Sequence, residues 1–277
     1  MKRTKVNDDS IWTPILFFIV MELAYVVIAY GLMFLPGFGL NVLYHFKILS
    51  RGIALVVADN LEVPFTIIRY ILSVLLLLFL NKKWLQESLY FKNWYWSFST
   101  IFVGLMAFIV YSYGITTTKF SFNNNDILNL CFNFGPAIFE EILFRGILLS
   151  ALIRRLSQRK FGVFWSLMIS SIIFGCSHII GNNQPTLLDL FIQVVGATGF
   201  GFLVGALYLR SKNLLLPMLL HFINDFGACF FYLGWEDLLP FSDVQCAILE
   251  LVVWFVIAVL LIHNFNSQTW LEEENHN

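Results

Sequence analysis

Phe139-Glu140-Glu141-Ile142-Leu143-Phe144-Arg145 decides how the rest of this chain is read. Two adjacent carboxylates and an arginine lie inside an apolar run from about Ile127 to Leu152. A bilayer-spanning helix takes roughly 20 residues, so the run is long enough to cross a membrane. Ionisable groups at membrane depth are costly, and they mark a functional site by default. On a helix, Glu141 and Arg145 stand at i and i+4, the favoured order for an internal ion pair. Glu140 points about 100° away from Glu141 and must face something else.

Composition extends the membrane reading to the whole chain. Of 277 residues, 58% are hydrophobic and 13% charged, against about 25% charged in soluble domains. The expected fold is all-α, a polytopic transmembrane bundle of about eight spans forming one integral membrane domain over residues 1–277. The spans are expected at about Ile11–Leu35 (ended by Pro36-Gly37), Val63–Leu80, Phe98–Ile115, Ile127–Leu152, Gly162–Ile180, Leu187–Leu209, Leu214–Leu233 and Gln245–Ile262. Ile53–Ala58 reads as an interfacial or lengthening turn before the second. The first run is too long for a signal-peptide core and lacks an A-x-A exit, so it reads as a retained span. A net charge of −1 gives no electrostatic case for nucleic acid. Cys131, Cys176, Cys229 and Cys246 lie singly in or beside apolar runs, as small hydrophobes do.

Basic residues set the expected orientation. Lys2, Arg3, Lys5, Lys82, Lys83, Lys92, Arg154, Arg155, Arg159, Lys160, Arg210 and Lys212 fall on one side of an eight-span bundle, and only Lys47, Arg51 and Lys119 on the other. The positive-inside rule then puts both termini in the cytoplasm. Measured along the helices, Glu140 lies about 21 Å from Arg154, His178 about 27 Å from Lys160 and His221 about 14 Å from Lys212. Depths this unequal predict that the fourth and fifth spans project past the bilayer or tilt strongly.

Further polar groups fall within the apolar runs. Glu22, Glu62 and Arg69 read as structural or interfacial. His45, His263 and His276 lie in a loop, at a span end and in the tail. His178 and His221 are each set in an apolar helix, His178 four residues after Phe174 and His221 four before Asp225. A carboxylate at i+4 can accept the imidazole N–H and fix its tautomer. Ala197, Gly201 and Gly205 recur every fourth residue, a small-residue stripe that lets another helix approach. Together the glutamates, arginine, histidines and aspartate suffice for hydrolysis: a carboxylate as general base on water, and histidines to hold a metal or an oxyanion. Neither H-E-x-x-H nor G-x-S-x-G occurs.

Glu140-Glu141-x-x-x-Arg145, Phe174-x-x-x-His178 and His221-x-x-x-Asp225, in that order on separate spans, resemble the motifs of the CPBP intramembrane proteases. That family includes the CAAX prenyl endopeptidases and bacterial Abi proteins linked to bacteriocin immunity. The resemblance covers a core of about 127–230. It implies an intramembrane endopeptidase acting on membrane-associated or prenylated peptides or proteins, in a multi-pass protein of the bacterial cell membrane. By the same resemblance Glu140 activates water and Glu141 with Arg145 is the supporting pair. His178 and His221 are metal ligands or oxyanion partners, and Asp225 holds the last motif position, with Asn224 beside it as a second candidate. Zinc on Glu140, His178 and His221 and a metal-free water site both remain open, since three ligands suit a catalytic zinc with a free position. Two other readings use the same residues: a proton- or ion-coupled transporter, for which no paired halves are visible, and a non-catalytic membrane scaffold.

Overall fold

Without water in the bilayer core, a spanning segment must satisfy its own backbone, which leaves helices for a chain of this composition. The computed structural model describes residues 10–48, 50–91, 101, 104–105, 134–180, 184–231, 242–268 and 270–271, and these are helical with no strand among them. We number the helices α1 (Trp12–His45), α2 (Arg51–Lys83), α3 (134–156), α4 (Gly162–Ser177), α5 (Leu187–Ser211), α6 (Leu215–Phe231) and α7 (Asp243–Ile262). Four stretches are long and apolar enough to cross a membrane: Trp12–His45, Val63–Lys83, Leu187–Ser211 and Asp243–Ile262. Four candidate spans, rather than about eight, are therefore established among the described residues. The expected span Phe98–Ile115 lies almost wholly outside those residues, as does the start of Ile127–Leu152.

Two helix boundaries differ from expectation. Pro36-Gly37 does not end α1, which continues to His45. One proline removes a single ladder bond, and a long apolar helix tolerates that loss. Its 34 residues would extend about 51 Å at 1.5 Å per residue. Likewise Ile53–Ala58 is not a turn: α2 begins at Arg51, where Ser50 Oγ accepts from the Ile53 N–H at 3.3 Å, and it carries Pro64 inside.

The centre of the bundle is α5, packed chiefly on α7 and α4. Glycine makes both approaches close. A Cβ at Gly199 would stand 2.8 Å from Leu251 Cα of α7, and one at Gly201 3.2 Å from Ser171 Cα of α4. At Gly205 it would stand 2.5 Å from Leu167 Cδ1. The small-residue stripe is thus the seam between α5 and α4. Leu143, Leu149, Leu152, Leu203, Val204 and Leu207 are fully buried around it, while Leu23, Val27, Ile71, Leu75, Val252 and Leu260 are exposed. Exposed apolar surface on three long helices is what a lipid-facing bundle presents.

The turn between α5 and α6 is buried. Lys212 closes α5 in the left-handed region (φ 50°), and only 1% of it is exposed. Its Nζ donates to Trp270 O at 2.8 Å and lies over the Tyr90 and Trp270 rings. Leu214 N–H donates to Tyr90 O, and Asn213 Nδ2 to Phe91 O. Segments 84–91 and 265–268 with 270–271 therefore roof this turn, and Lys212 is not the loop cation its charge suggested. Glu87 fastens the same roof, paired with Arg154 at 2.6 Å and with Arg155 at 4.0 Å.

Candidate active site

Helix α3 delivers the acidic pair. It is α-helical over 134–141 and then opens into a π-helix, Ile142–Leu149, before Ser150–Leu156 resumes the α form. A π segment is uncommon and is found chiefly at functional positions. Its wider turn releases carbonyls to side chains: Ser170 Oγ of α4 donates to Phe144 O at 3.2 Å, and Ser150 Oγ donates to Arg145 O at 3.2 Å. No propensity in Ile142–Leu149 announces this, since the segment is simply apolar.

Glu141 is fully buried at the start of that segment. Arg145 Nη1 donates to its Oε1 at 2.8 Å, as the i, i+4 spacing predicts. His221 Nδ1 of α6 lies 2.7 Å from the same oxygen. Arg145 is also stacked on Phe174 of α4, its guanidinium carbon 4.3 Å from the ring centroid. The other face of His221 is acidic as well: Nε2 lies 3.3 Å from Asp225 Oδ2 and 3.8 Å from Glu140 Oε2. Asn224 Nδ2 donates to Asp225 Oδ1 at 3.2 Å, so Asp225 faces the histidine and Asn224 braces it. The Phe174 and Phe200 rings pack edge-on against the imidazole.

His178 sits at the end of α4, with Nδ1 2.9 Å from Phe174 O. A carbonyl only accepts, so Nδ1 carries the proton and Nε2 keeps its lone pair. Its ring packs edge-on against Phe174, which thus stands between the two histidines and beneath Arg145. Arg145, His178 and His221 pack on this phenylalanine, and Glu140, Glu141 and Asp225 surround His221. Lys212, the reference point for the depth of His221, is buried within the protein rather than at its surface.

Glu140 and His178 line a cavity of about 670 Å³, together with Glu22, Tyr25 and Tyr30 of α1, Arg69 of α2, Ser177, and Gln184 and Gln193 beside them. Glu140 Oε2 has no hydrogen-bond partner, although 26% of the side chain is exposed. Glu22 and Arg69, read as structural or interfacial, are wall residues of the same cavity. The signal available for them was a lone charge in each apolar run, which does not say where helices α1 and α2 dock. The side chain of Glu62 lies outside the described residues.

Among the described residues no three His, Cys, Asp or Glu side chains are grouped to hold one ion. Of Glu140, His178 and His221, the last already turns both nitrogens to carboxylates. As arranged, these residues do not fit a bound zinc.

Residues 124–227 match the family model described as type II CAAX prenyl endopeptidase, Rce1-like. The match takes in all three motifs and is a similarity in line with the CPBP resemblance. The matched family is one of membrane proteases, and four helices among the described residues are long and apolar enough to cross a membrane. No curated protein and no solved structure matches the chain.

Proposed function

We propose that the chain is an intramembrane endopeptidase in which Glu140 activates the hydrolytic water. The carrying observation is the contrast between two neighbours: Glu141 is fully buried with one oxygen engaged twice, whereas the Glu140 side chain is 26% exposed and lines the cavity. A general base needs a lone pair within reach of water, and Glu140 offers one. In this reading Glu140 takes a proton from water as the water oxygen bonds to the scissile carbonyl carbon. His178 orients that water through Nε2. The tetrahedral adduct collapses as the C–N bond breaks, and Glu140 returns the proton to the leaving amine. Glu141, Arg145 and Asp225 are positioning residues that fix His221 beside Glu140. The role in the cell is either CAAX-type processing or one like that of the Abi proteins in bacteriocin immunity. The first is favoured, because the matched family is named for it.

Glu140→Gln keeps the shape and removes the base. It is expected to leave the melting temperature in detergent unchanged, to bind a peptide substrate, and to lower kcat by about 100-fold or more, the usual contribution of general-base catalysis. Cleavage at the wild-type rate by a folded Glu140→Gln protein would overturn the assignment.

A further inference from the structure

Glu22 is a carboxylate in an apolar helix, and the functional reading above does not use it. Its side chain lines the cavity that holds Glu140 and His178. Among the described residues Glu22 makes no hydrogen bond and no ion pair. The cavity's arginine, Arg69, is engaged elsewhere: Nη2 donates to Tyr70 Oη at 3.2 Å, and the guanidinium carbon lies 4.7 Å from the Tyr70 ring centroid and 5.7 Å from that of Tyr25. A carboxylate placed at membrane depth without a cation is costly, and a ligand that brings positive charge would offset that cost.

The packing of α1 on α3 sets its height. Phe18 packs on Phe144 and Tyr25 stacks on Phe139, with ring centroids 5.3 and 5.1 Å apart, so the two helices run antiparallel here. Glu22, between Phe18 and Tyr25, is level with about residue 141 of α3, within roughly 1.5 Å of Glu140 along the axis. Tyr70 lies against Gly135, where an added Cβ would run into its ring. Arg69 is therefore about six residues from Glu22 in height, or roughly 9 Å. One level of the cavity carries two carboxylates from two different walls, and the arginine stands at another.

Peptide hydrolysis creates a cation at that level. The water oxygen bonds to the carbonyl carbon, and its first proton passes through Glu140 to the nitrogen of the adduct. That nitrogen then carries positive charge and N–H groups to donate. As the C–N bond breaks, its electron pair stays with nitrogen and C=O re-forms. The acid product gives its remaining proton to the freed amine, so a carboxylate and an ammonium depart and Glu140 is ionised again. A carboxylate level with Glu140 on another wall can accept those N–H groups in charge-assisted bonds, which are stronger in a low-dielectric cavity than in water.

We infer that Glu22 is the leaving-group subsite: its carboxylate accepts the N–H of the scissile amide and then holds the ammonium of the released chain. The proposal rests on the protease reading and adds a second carboxylate to it.

A lipidated peptide and its depsipeptide twin, with an ester oxygen in place of the scissile N–H, test it in neutral detergent. The ester has no N–H to donate and leaves as a neutral alcohol, so Glu22 assists only the amide. Glu22→Gln is expected to lower kcat/KM for the amide about 10- to 100-fold more than for the ester, the range of a hydrogen bond to a charged group. Its melting temperature should be unchanged, and Glu22→Asp should keep part of the amide rate. Binding decides the subsite apart from catalysis. The downstream product peptide with a free amino end is compared with its N-acetylated form by fluorescence anisotropy. The wild type is expected to bind the free amine about 10-fold more tightly, and Glu22→Gln to bind the two alike. That result supports the subsite even if neither substrate is cut, an outcome that would sink the protease reading alone. Equal binding by the wild type overturns the subsite, as does an amine preference that survives in Glu22→Gln. An equal loss of amide and ester cleavage in Glu22→Gln would assign Glu22 to shaping the cavity and equally overturn it.

Discussion

Glu141 Oε1 serves Arg145 and His221 at once, at 2.8 and 2.7 Å, in a place with no water to replace it. Glu141→Gln would remove the charge that compensates a fully buried guanidinium. Breaking a buried pair from one side costs about 3–5 kcal/mol. The variant is therefore expected to lose stability of that order together with activity, read by chemical denaturation in detergent beside a cleavage assay. Glu140→Gln, one residue away, should lose activity alone. Two equally unstable variants would instead favour a scaffold role for the whole polar cluster. At Asp225 a milder outcome is expected: Asn keeps a hydrogen-bonding oxygen 3.3 Å from His221 Nε2, so Asp225→Asn should retain more activity than Asp225→Ala, and equal loss in both would remove the bond from the account.

Among the elements, α4 carries both Phe174 and His178, and its height on α5 is set by Gly175 between them. A Cβ there would meet Thr198 Oγ1 at 2.0 Å and Val194 O at 2.7 Å. The threonine can be trimmed, but the backbone carbonyl cannot. Overpacking of this kind costs typically 1–3 kcal/mol, so Gly175→Ala should lower the melting temperature and, by pushing Phe174 and His178 off the cavity, lower kcat as well. Adding Thr198→Ala should recover part of the stability but not all of it. Full recovery would mean that the carbonyl approach is not limiting. The helix pattern of α3 and α4 was legible from residue types, since Glu141 with Arg145 and Phe174 with His178 are both i, i+4 pairs. The π-helical turn was not legible, because nothing in the apolar run Ile142–Leu149 distinguishes it from an α-helix.

At the scale of the molecule, two expectations concern conditions rather than residues. Both His221 nitrogens face carboxylates, and no three ligands are grouped among the described residues, so cleavage is expected to persist in protein stripped with a strong chelator and found metal-free by elemental analysis. Activity lost on chelation and regained with zinc would require His221 to turn. The orientation proposed from the loop cations puts fusions after Lys160 and at the C-terminus in the cytoplasm and one near Glu236 outside. Opposite signals at any of these points would break that arrangement. Burial of Lys212 removes one charge from the cytoplasmic count and leaves its sign unchanged, since Arg154, Arg155, Arg159 and Lys160 remain on that side.

Composition and spacing alone determined that this chain is helical and membrane-bound, because apolar runs of this length have one stable form in lipid. They also singled out candidate site residues, because a charge in such a run is costly, and helical period alone joins Glu141 to Arg145 and His221 to Asp225. Only the tertiary structure decided what those residues face. Which carboxylate is free, which wall Glu22 and Arg69 belong to, and that Lys212 is buried all depend on how separate helices meet. That docking follows from glycine seams and from the roof formed by residues 84–91, 265–268 and 270–271. The contacts involved join residues 80 positions apart, Glu141 and His221, and 122 apart, Phe91 and Asn213, and no local periodicity carries that information.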